Sequence, residues 1–242
     1  MKKKILFRIL LNTRFRDIKS ANKKWMSTSE DESWLAYRVH IFMKYTAKSL
    51  IHQKNQLFTA IILYLDSTEE VVKRLLAEYE ELPPNIIFLN QDKEETFMET
   101  YLKEDTDYIY EVRLDSDDCY IDTFVQTLHN VEITEETQCI LSRWGYIWDH
   151  HSKRLGNVYY PSPPFYTLVY KAKEYREGVR YTLKGGHVGA CRLNCILLEG
   201  EQYLFVLHES NILATFEHRM QKTEITDTKE KQAILERFGV TE

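Results

Sequence analysis

The sequence predicts an α/β protein with a mostly parallel central sheet. In the first half of the chain, short apolar segments alternate with longer segments whose apolar residues recur at helical spacing. These lengths suit βαβ units, in which neighbouring strands run parallel. A chain of 242 residues, 43% of them hydrophobic, is also long enough to bury the core of one large domain.

Four strands are predicted in the first 120 residues. Each is a short, largely apolar run, and each is followed by a helical pattern or a polar turn. In chain order they are ILFRILL, FTAIILYL, NIIFLN and YIYEVRL. Ligands of such sheets bind beyond the carboxyl ends of the strands, so polar residues at these ends are the first candidates for a site.

Three helices are predicted between these strands. The first is SWLAYRVHIFMKYTAKSLI, which has one apolar face. In STEEVVKRLLAEYEEL, Ser67 is predicted to cap the helix with Glu70 reaching back to it, and Pro83 and Pro84 end it. The third helix, DKEETFMETYLKED, is predicted to be capped by Asp92.

The second half of the chain predicts strands of more mixed direction. CILSRWGYIWD, NVYY, FYTLVYKA and YLFVLHES resemble strands joined by irregular loops that contain Gly, Pro and His. TKEKQAILERFG predicts a closing helix. We therefore expect this half to continue the sheet within the same domain and to add a lobe in which strand directions are more mixed.

Charge and hydropathy exclude some classes of function. The net charge of −5 argues against a nucleic-acid-binding protein, which would usually present a basic face. The basic start MKKK leads into ILFRILLN, but Arg8 interrupts the apolar run and no small-residue cleavage site follows, so a strand is favoured over a signal peptide. No apolar stretch approaches the ~20 residues of a membrane span. We expect a cytoplasmic protein, and its oligomeric state stays open.

The most informative stretch is an acidic cluster that directly follows the fourth strand. It contains Asp115, Asp117 and Asp118. At about 5 Å and an effective dielectric constant of about 20, each pair of carboxylates repels by roughly 3 kcal/mol. Mg²⁺ or Mn²⁺ would offset this repulsion and could hold a nucleoside diphosphate. The alternative is a solvated turn that caps the following helix, DTFVQTLHN.

Two charged residues on the fourth strand do not fit a fully buried parallel strand. Glu111 and Arg113 share one face of YIYEVRL. Either they pair with each other, or this face borders the site.

Several stretches together resemble a known family. The segments NTRF, WLAYRVHIFMKYTAKSLIHQKNQLF and RLDSDD, with the later HESN, are similar to the bacterial putative rhamnosyltransferase family. LDSDD resembles the DXD motif of glycosyltransferases with the GT-A fold. The resemblance runs from about residue 5 to about residue 215. It implies a GT-A-like three-layer sandwich over residues 1–242, with a nucleotide-sugar-binding half at about 1–120 and an acceptor-side half at about 121–242.

The resemblance also implies roles for particular residues. A Mn²⁺ or Mg²⁺ ion would be bound by Asp115, Asp117, Asp118 and His208. A nucleotide-diphosphate sugar would be bound by Thr13, Arg14, Asp66, Arg113, Asp115 and Ser116. An inverting enzyme also needs a carboxylate base, for which Glu209 and Asp149 are the candidates.

The sequence therefore predicts a metal-dependent glycosyltransferase that moves a sugar from a nucleotide donor to a hydroxyl of a glycan or small molecule. Two alternatives stay open. One is a Mg²⁺-dependent nucleotidyltransferase or phosphohydrolase, although NTRFRDIKSANKK has no glycine and ILFRILLNTRF lacks the DxDx[TV] pattern of one phosphatase class. The other is a non-catalytic nucleotide- or sugar-binding protein on the same fold.

Overall fold

A computed structural model describes residues 1–13, 30–103, 105–209, 215–216 and 223–241. Its central feature is a ten-stranded sheet that continues through both halves of the sequence. The four predicted strands of the first half are all present. They are β1 (Lys3–Leu10), β2 (Thr59–Tyr64), β3 (Ile86–Asn90) and β4 (Tyr108–Arg113).

These four strands form the parallel part of the sheet, in the order β3-β2-β1-β4. Every pair among them is parallel, so their carboxyl ends lie at one edge. β1 lies between β2 and β4, and Arg8 on it is the register partner of Arg113 on β4. Residues that follow β1 and β4 are therefore brought together at this edge, as the sequence predicted.

Helices cover both faces of the parallel part. The first is α1 (Glu32–Ile41), which continues through a π-helical turn (Phe42–Thr46) into α2 (Ala47–Ile51). It packs on one face with α3 (Glu69–Leu76), where Phe7 and Ile9 are fully buried. The other face is covered by α4 (Glu94–Tyr101), whose Phe97, Met98 and Tyr101 pack on Leu6, Ile61 and Leu63. This arrangement of helix, sheet and helix confirms the predicted α/β sandwich.

The second half adds mixed strands, as predicted. β8 (Tyr166–Lys171) pairs antiparallel with β4 and joins the two halves. β6 (Cys139–Asp149) pairs with β8, with β7 (Arg154–Tyr159) and with β9 (Cys195–Leu207). The remaining elements of this half are short. They are β5 (Cys119–Tyr120), α5 (Phe124–Asn130), α6 (Ala172–Arg176), β10 (Glu224–Ile225) and α7 (Thr228–Glu236).

Local details differ from the predictions at two helix starts. The capping box was wrong, because a 3₁₀ turn (Asp66–Thr68) precedes α3 and the Ser67 hydroxyl donates to Glu30 instead. Before α4, Asn90 caps a 3₁₀ turn (Gln91–Lys93), since its Oδ1 accepts from the backbone N–H of Asp92 at 3.0 Å, and Asp92 does not cap the helix. In both cases a tertiary or neighbouring partner outcompetes the local pattern.

Strand lengths differ as well. β9 begins eight residues before the predicted YLFVLHES, and β5 and β10 are two-residue strands that the pattern did not indicate. Pairing partners decide such strands, since β5 exists by pairing with β9. In the described residues, every helix is too short or too polar to cross a bilayer.

Candidate functional site

The three aspartates after β4 point to different partners. Asp117 contacts Arg38 and His208, and Asp115 contacts Arg113. Asp118 turns into the protein, where its Oδ1 accepts a hydrogen bond from the backbone N–H of Val206 at 2.9 Å. The predicted cluster of three metal ligands is therefore divided among three separate interactions.

Asp117, His208 and Arg38 form what we call the charged cluster. Oδ2 of Asp117 lies 2.9 Å from Nε2 of His208 and 3.0 Å from Nη1 of Arg38. Nη1 also lies 3.4 Å from the same imidazole nitrogen, while Nη2 of Arg38 donates to the Ser116 hydroxyl at 2.5 Å. The side chains of the three members are at most 14% exposed, so water screens the electrostatic interactions among them only weakly.

Helix α1 determines where Arg38 lies. Asp31 caps the helix by accepting from the backbone N–H of Trp34, and Leu35 and Val39 bury its apolar face. Arg38 falls at the border of this face, so its stem is covered while its guanidinium reaches the loop after β4. Its Nε is buried and has no hydrogen-bond partner among the described residues.

Strand β9 brings His208 to the same place. β9 runs parallel to β6, and the hydrogen bond from Val206 to Asp118 fixes its end two residues before His208. The imidazole is buried, and its Nδ1 lies 3.2 Å from the Tyr37 hydroxyl. When Nε2 carries the proton and donates to Asp117, the Tyr37 hydroxyl donates to Nδ1. Tyr37 therefore orients the ring from behind.

The surroundings shift the acidity of two of the aspartates in opposite directions. Burial by itself would raise the pKa of Asp117, but Arg38 and His208 outweigh it and lower that pKa to about 2. Burial raises the pKa of Asp118 well above its ordinary value, and the neighbouring charges of Asp117 and Asp115 raise it further. Asp117 is thus the ionised partner of the cluster, and Asp118 is a buried acid used for structure.

A second arginine, Arg113 at the end of β4, holds Asp115. Nη2 of Arg113 donates to both carboxylate oxygens of Asp115, at 2.9 and 3.0 Å, while Nη1 donates to the Pro164 carbonyl at 2.8 Å. The other charged residue of this face, Glu111, accepts from the Tyr175 hydroxyl at 2.7 Å. Glu111 and Arg113 therefore have separate partners, and both line the cavity described next.

A cavity of about 640 Å³, the smaller cavity, opens in front of these residues. It lies at the carboxyl ends of β1 and β4, as expected for a ligand site of a parallel sheet. Its polar wall is formed by Arg38, Arg113, Asp115, Ser116 and Asp117. Trp34 adds an aromatic surface beside the guanidinium of Arg38, whose Cζ lies 5.9 Å from the ring centroid.

The remaining predicted donor-binding residues are Thr13, Arg14 and Asp66. Thr13 is buried just after β1, and Arg14 lies outside the described residues. Asp66 follows β2 at the same edge of the sheet and is exposed, and its carboxylate accepts from the Asn90 side chain at 2.6 Å. Among the described residues, neither Thr13 nor Asp66 lines the smaller cavity. Their roles stay predictions.

The two candidate bases differ in their surroundings. Asp149 accepts hydrogen bonds from the backbone N–H groups of His151 and Ser152 and from the Ser152 hydroxyl. These bonds hold Asp149, the last residue of β6, at the turn into β7, and its role as a base stays a prediction. Glu209 is exposed and directly follows His208, beside Tyr37. The structure leaves its carboxylate accessible to a substrate.

Two of the four predicted metal ligands, Asp117 and His208, lie close enough together to share a small divalent cation, and metal ligation itself stays a prediction. Two neighbouring ligands bound at about 2.0–2.1 Å in an octahedron lie about 3 Å apart, and Asp117 and His208 present Oδ2 and Nε2 at 2.9 Å. In the part of the chain that the structure describes, no group of three His, Cys, Asp or Glu side chains could hold a metal. A cation bound here would take its other oxygen ligands from substrate phosphate or water, as Mg²⁺ usually does.

The sequence profile of one protein family covers most of this architecture. The family described as "Putative rhamnosyl transferase" matches residues 5–156, which is more than half of the chain. The chain belongs to this family. The matched region includes most of β1, all of β2 to β4, Arg38 and the three aspartates, and it ends before His208.

Solved structures of S. aureus TarS are similar in outline only. TarS 1-349 matches with a TM-score of 0.43, 10% identity and coverage of 84% of this chain and 60% of its own. Its complex with UDP-GlcNAc gives a TM-score of 0.46 at 10% identity, with coverages of 86% and 60%. This chain thus spans about 60% of the length of that structure. No curated protein matches.

Sequence reasoning underestimated Arg38 and missed Trp34 and Tyr37. An arginine on an amphipathic helix is by default a surface residue or a partner in a salt bridge. The structure shows the salt bridge, but its partner is the central aspartate of the acidic loop. The available signal was the spacing of Trp34 and Arg38, which at i and i+4 share one face of the family-like segment WLAYR.

Proposed function

We propose that this protein is a glycosyltransferase that uses a nucleoside-diphosphate sugar and binds the donor in the smaller cavity. The observation that carries the proposal is the charged cluster at the carboxyl edge of the sheet. It combines two potential cation ligands 2.9 Å apart with a guanidinium suited to phosphate. Membership of the family supports the class of reaction.

The proposed roles follow from position. The diphosphate lies against Arg38 and Ser116, and Asp115, held by Arg113, accepts hydrogen bonds from donor hydroxyls. Asp117 and His208 would hold Mn²⁺ or Mg²⁺, whose chemistry is to offset the negative charge on the departing diphosphate. Arg38 supplies positive charge at the same place from the protein itself.

Glu209 is the proposed base if the transfer inverts the anomeric centre. Its carboxylate would accept the proton of the acceptor hydroxyl as the oxygen attacks the sugar carbon. The bond from that carbon to the diphosphate oxygen breaks in the same step, and the diphosphate leaves with the electron pair. The sugar is a hexose, with rhamnose suggested by the family description.

The acceptor has a separate place in this proposal. A larger cavity of about 1560 Å³ adjoins the smaller one, and both are lined by Arg8, Glu111, Tyr166 and Leu168. Its wall carries tyrosines together with acidic and basic side chains, which suits a polyhydroxylated molecule. We propose that a glycan or small hydroxyl compound enters the larger cavity and reaches the donor across these shared residues. We also propose that the protein acts in the cytoplasm.

The decisive experiment is calorimetric titration with UDP, GDP and dTDP, with and without Mn²⁺. We expect one nucleotide to bind to the natural protein and Asp117→Asn to weaken that binding by about 10-fold or more, as for a lost hydrogen bond to a charged group. Asp107→Asn is the matched control, because Asp107 is exposed at the opposite end of β4. A folded protein that binds none of the three nucleotides would contradict the proposal.

The alternatives predict other products. A nucleotidyltransferase or phosphohydrolase would release diphosphate or phosphate from a nucleoside triphosphate, and a non-catalytic protein would bind the nucleotide without turnover. Product analysis by mass spectrometry separates the three after two incubations, one with nucleotide sugars and a panel of mono- and oligosaccharides and one with nucleoside triphosphates. Glycosyl transfer gives an acceptor whose mass increases by one sugar residue.

A further inference from the structure

Arg38 occupies the position where a divalent cation would need room. Its Nη1 lies 3.0 Å from Oδ2 of Asp117 and 3.4 Å from Nε2 of His208, the two atoms that fit a cation. A metal ion bound to both atoms at about 2.1 Å would lie no more than about 4.4 Å from this nitrogen. At that distance two positive species repel strongly in a buried environment.

The guanidinium is also held firmly in this place. It contacts Asp117 and Ser116, Trp34 lies beside it, and its side chain is 14% exposed. An arginine side chain cannot lose its charge at any ordinary pH. The positive charge can therefore leave the two ligands only if the side chain moves.

We propose that Arg38 is a resident cation that competes with divalent metal for Asp117 and His208. In the free protein it neutralises Asp117, so Mn²⁺ binds weakly. A nucleoside diphosphate entering the smaller cavity gives the guanidinium a second anionic partner and supplies phosphate oxygens to the metal, so that metal binding becomes coupled to donor binding. This inference rests on the proposed donor site.

The experiment measures Mn²⁺ affinity from the EPR signal of free Mn²⁺, which needs no turnover. We expect the natural protein to bind Mn²⁺ at least about 10-fold more tightly when saturated with its nucleoside diphosphate. We expect Arg38→Gln to bind Mn²⁺ at least about 10-fold more tightly than the natural protein when no nucleotide is present, because the competing charge is gone. Adding Asp117→Asn to Arg38→Gln should remove that gain and locate the ion.

Arg8→Gln is the matched control. Arg8 lines the same cavity and carries the same charge, but its guanidinium pairs with Glu94 rather than Asp117. Its removal should leave Mn²⁺ affinity within about twofold of the natural value. A gain as large as that of Arg38→Gln would show a general charge effect and overturn the proposal.

Other outcomes are equally clear. Unchanged or weaker Mn²⁺ binding in folded Arg38→Gln would overturn the inference, and so would tight binding by the natural protein without nucleotide. Arg38→Met, which keeps the apolar stem, repeats the test if the glutamine variant fails to fold. If the natural protein binds the nucleotide but the nucleotide leaves Mn²⁺ affinity unchanged, the inference fails while the proposed function stands. If no nucleotide binds, the proposed function itself fails.

Discussion

At the scale of single residues, neighbouring aspartates have different tasks. Asp115 and Asp117 face the smaller cavity, whereas Asp118 is 2% exposed and accepts from the backbone N–H of Val206. The Thr46 hydroxyl also donates to the backbone carbonyl of Asp118. Asp118 thus ties the acidic loop to the helical segment after α1 and to β9, and so positions His208.

This role predicts different effects on stability for two substitutions of Asp118. Asp118→Ala leaves the N–H of Val206 without its acceptor and should reduce the free energy of unfolding by about 1–3 kcal/mol. Asp118→Asn keeps an acceptor oxygen and removes the buried charge, so it should be neutral or stabilising at pH 7. Urea unfolding measures both, and a Mn²⁺ affinity retained by Asp118→Asn would confirm that the carboxylate is not a ligand.

The difference in stability between Asp118→Asn and the natural protein should depend on pH in a defined direction. Because the pKa of Asp118 is raised in the folded protein, the folded state binds its proton more tightly than the unfolded state does. The natural protein therefore loses stability as the pH rises from the ordinary aspartate pKa through this raised value. Asp118→Asn lacks that loss, so its relative stability should increase over the same window. A constant difference between pH 4 and pH 7 would contradict the assignment.

At the scale of elements, the turn after α2 is held by one buried glutamine. Nε2 of Gln53 donates to the carbonyls of Ser49 and Ile121, and its Oε1 accepts from the backbone N–H of Val125. Gln53 therefore joins the helical segment that carries Arg38 to β5 and α5. Every polar atom of its amide group is used inside the protein.

Gln53→Ala should lower the free energy of unfolding by about 2–4 kcal/mol, because it leaves buried backbone groups unpaired and opens a small cavity. Gln56→Ala is the matched control, since Gln56 also donates to backbone carbonyls of this turn but is exposed. Its cost should stay below about 1 kcal/mol. Equal losses for the two variants in urea unfolding would show that burial is not what makes Gln53 important.

At the scale of the whole molecule, both halves of the sequence contribute residues to the charged cluster and to the larger cavity. His208 comes from the second half and completes the charged cluster of the first half. The larger cavity is lined from both halves, by Arg8 and α4 on one side and by β8 and the segment after α6 on the other. The pairing of β4 with β8 fixes these walls relative to each other.

The larger cavity predicts a variant that affects only the acceptor. The guanidinium of Arg180 covers the ring of Tyr175 at 3.4 Å and lines this cavity but not the smaller one. Arg180→Ala should raise the acceptor KM by about 5-fold or more and leave nucleotide binding unchanged. Initial rates against acceptor concentration at saturating donor measure this effect.

Arg143→Ala serves as the control for that experiment. Arg143 donates to a loop carbonyl, that of Pro161, but lines neither cavity. Its acceptor KM should match the natural value. If Arg180→Ala weakens nucleotide binding to the same extent as it raises KM, the larger cavity is part of the donor site instead.

The sequence by itself determined the α/β class, the four parallel strands and the edge of the sheet where the candidate site lies. These features depend on patterns of neighbouring residues, since alternation of strand and helix fixes which ends meet. The acidic loop and the family resemblance could also be recognised from the sequence, because both consist of residues that are neighbours in the chain. Asp117 and His208 could be named in advance because both lie in short motifs at strand ends.

Only the tertiary structure decided what each charged side chain contacts. Arg38 meets Asp117 across 79 residues, and His208 meets it across 91. Asp118 is turned to Val206, although its sequence position beside Asp117 made it an equal candidate. Contacts of this kind depend on how a helix and a distant strand pack on the same edge, and no local pattern encodes that distance or direction.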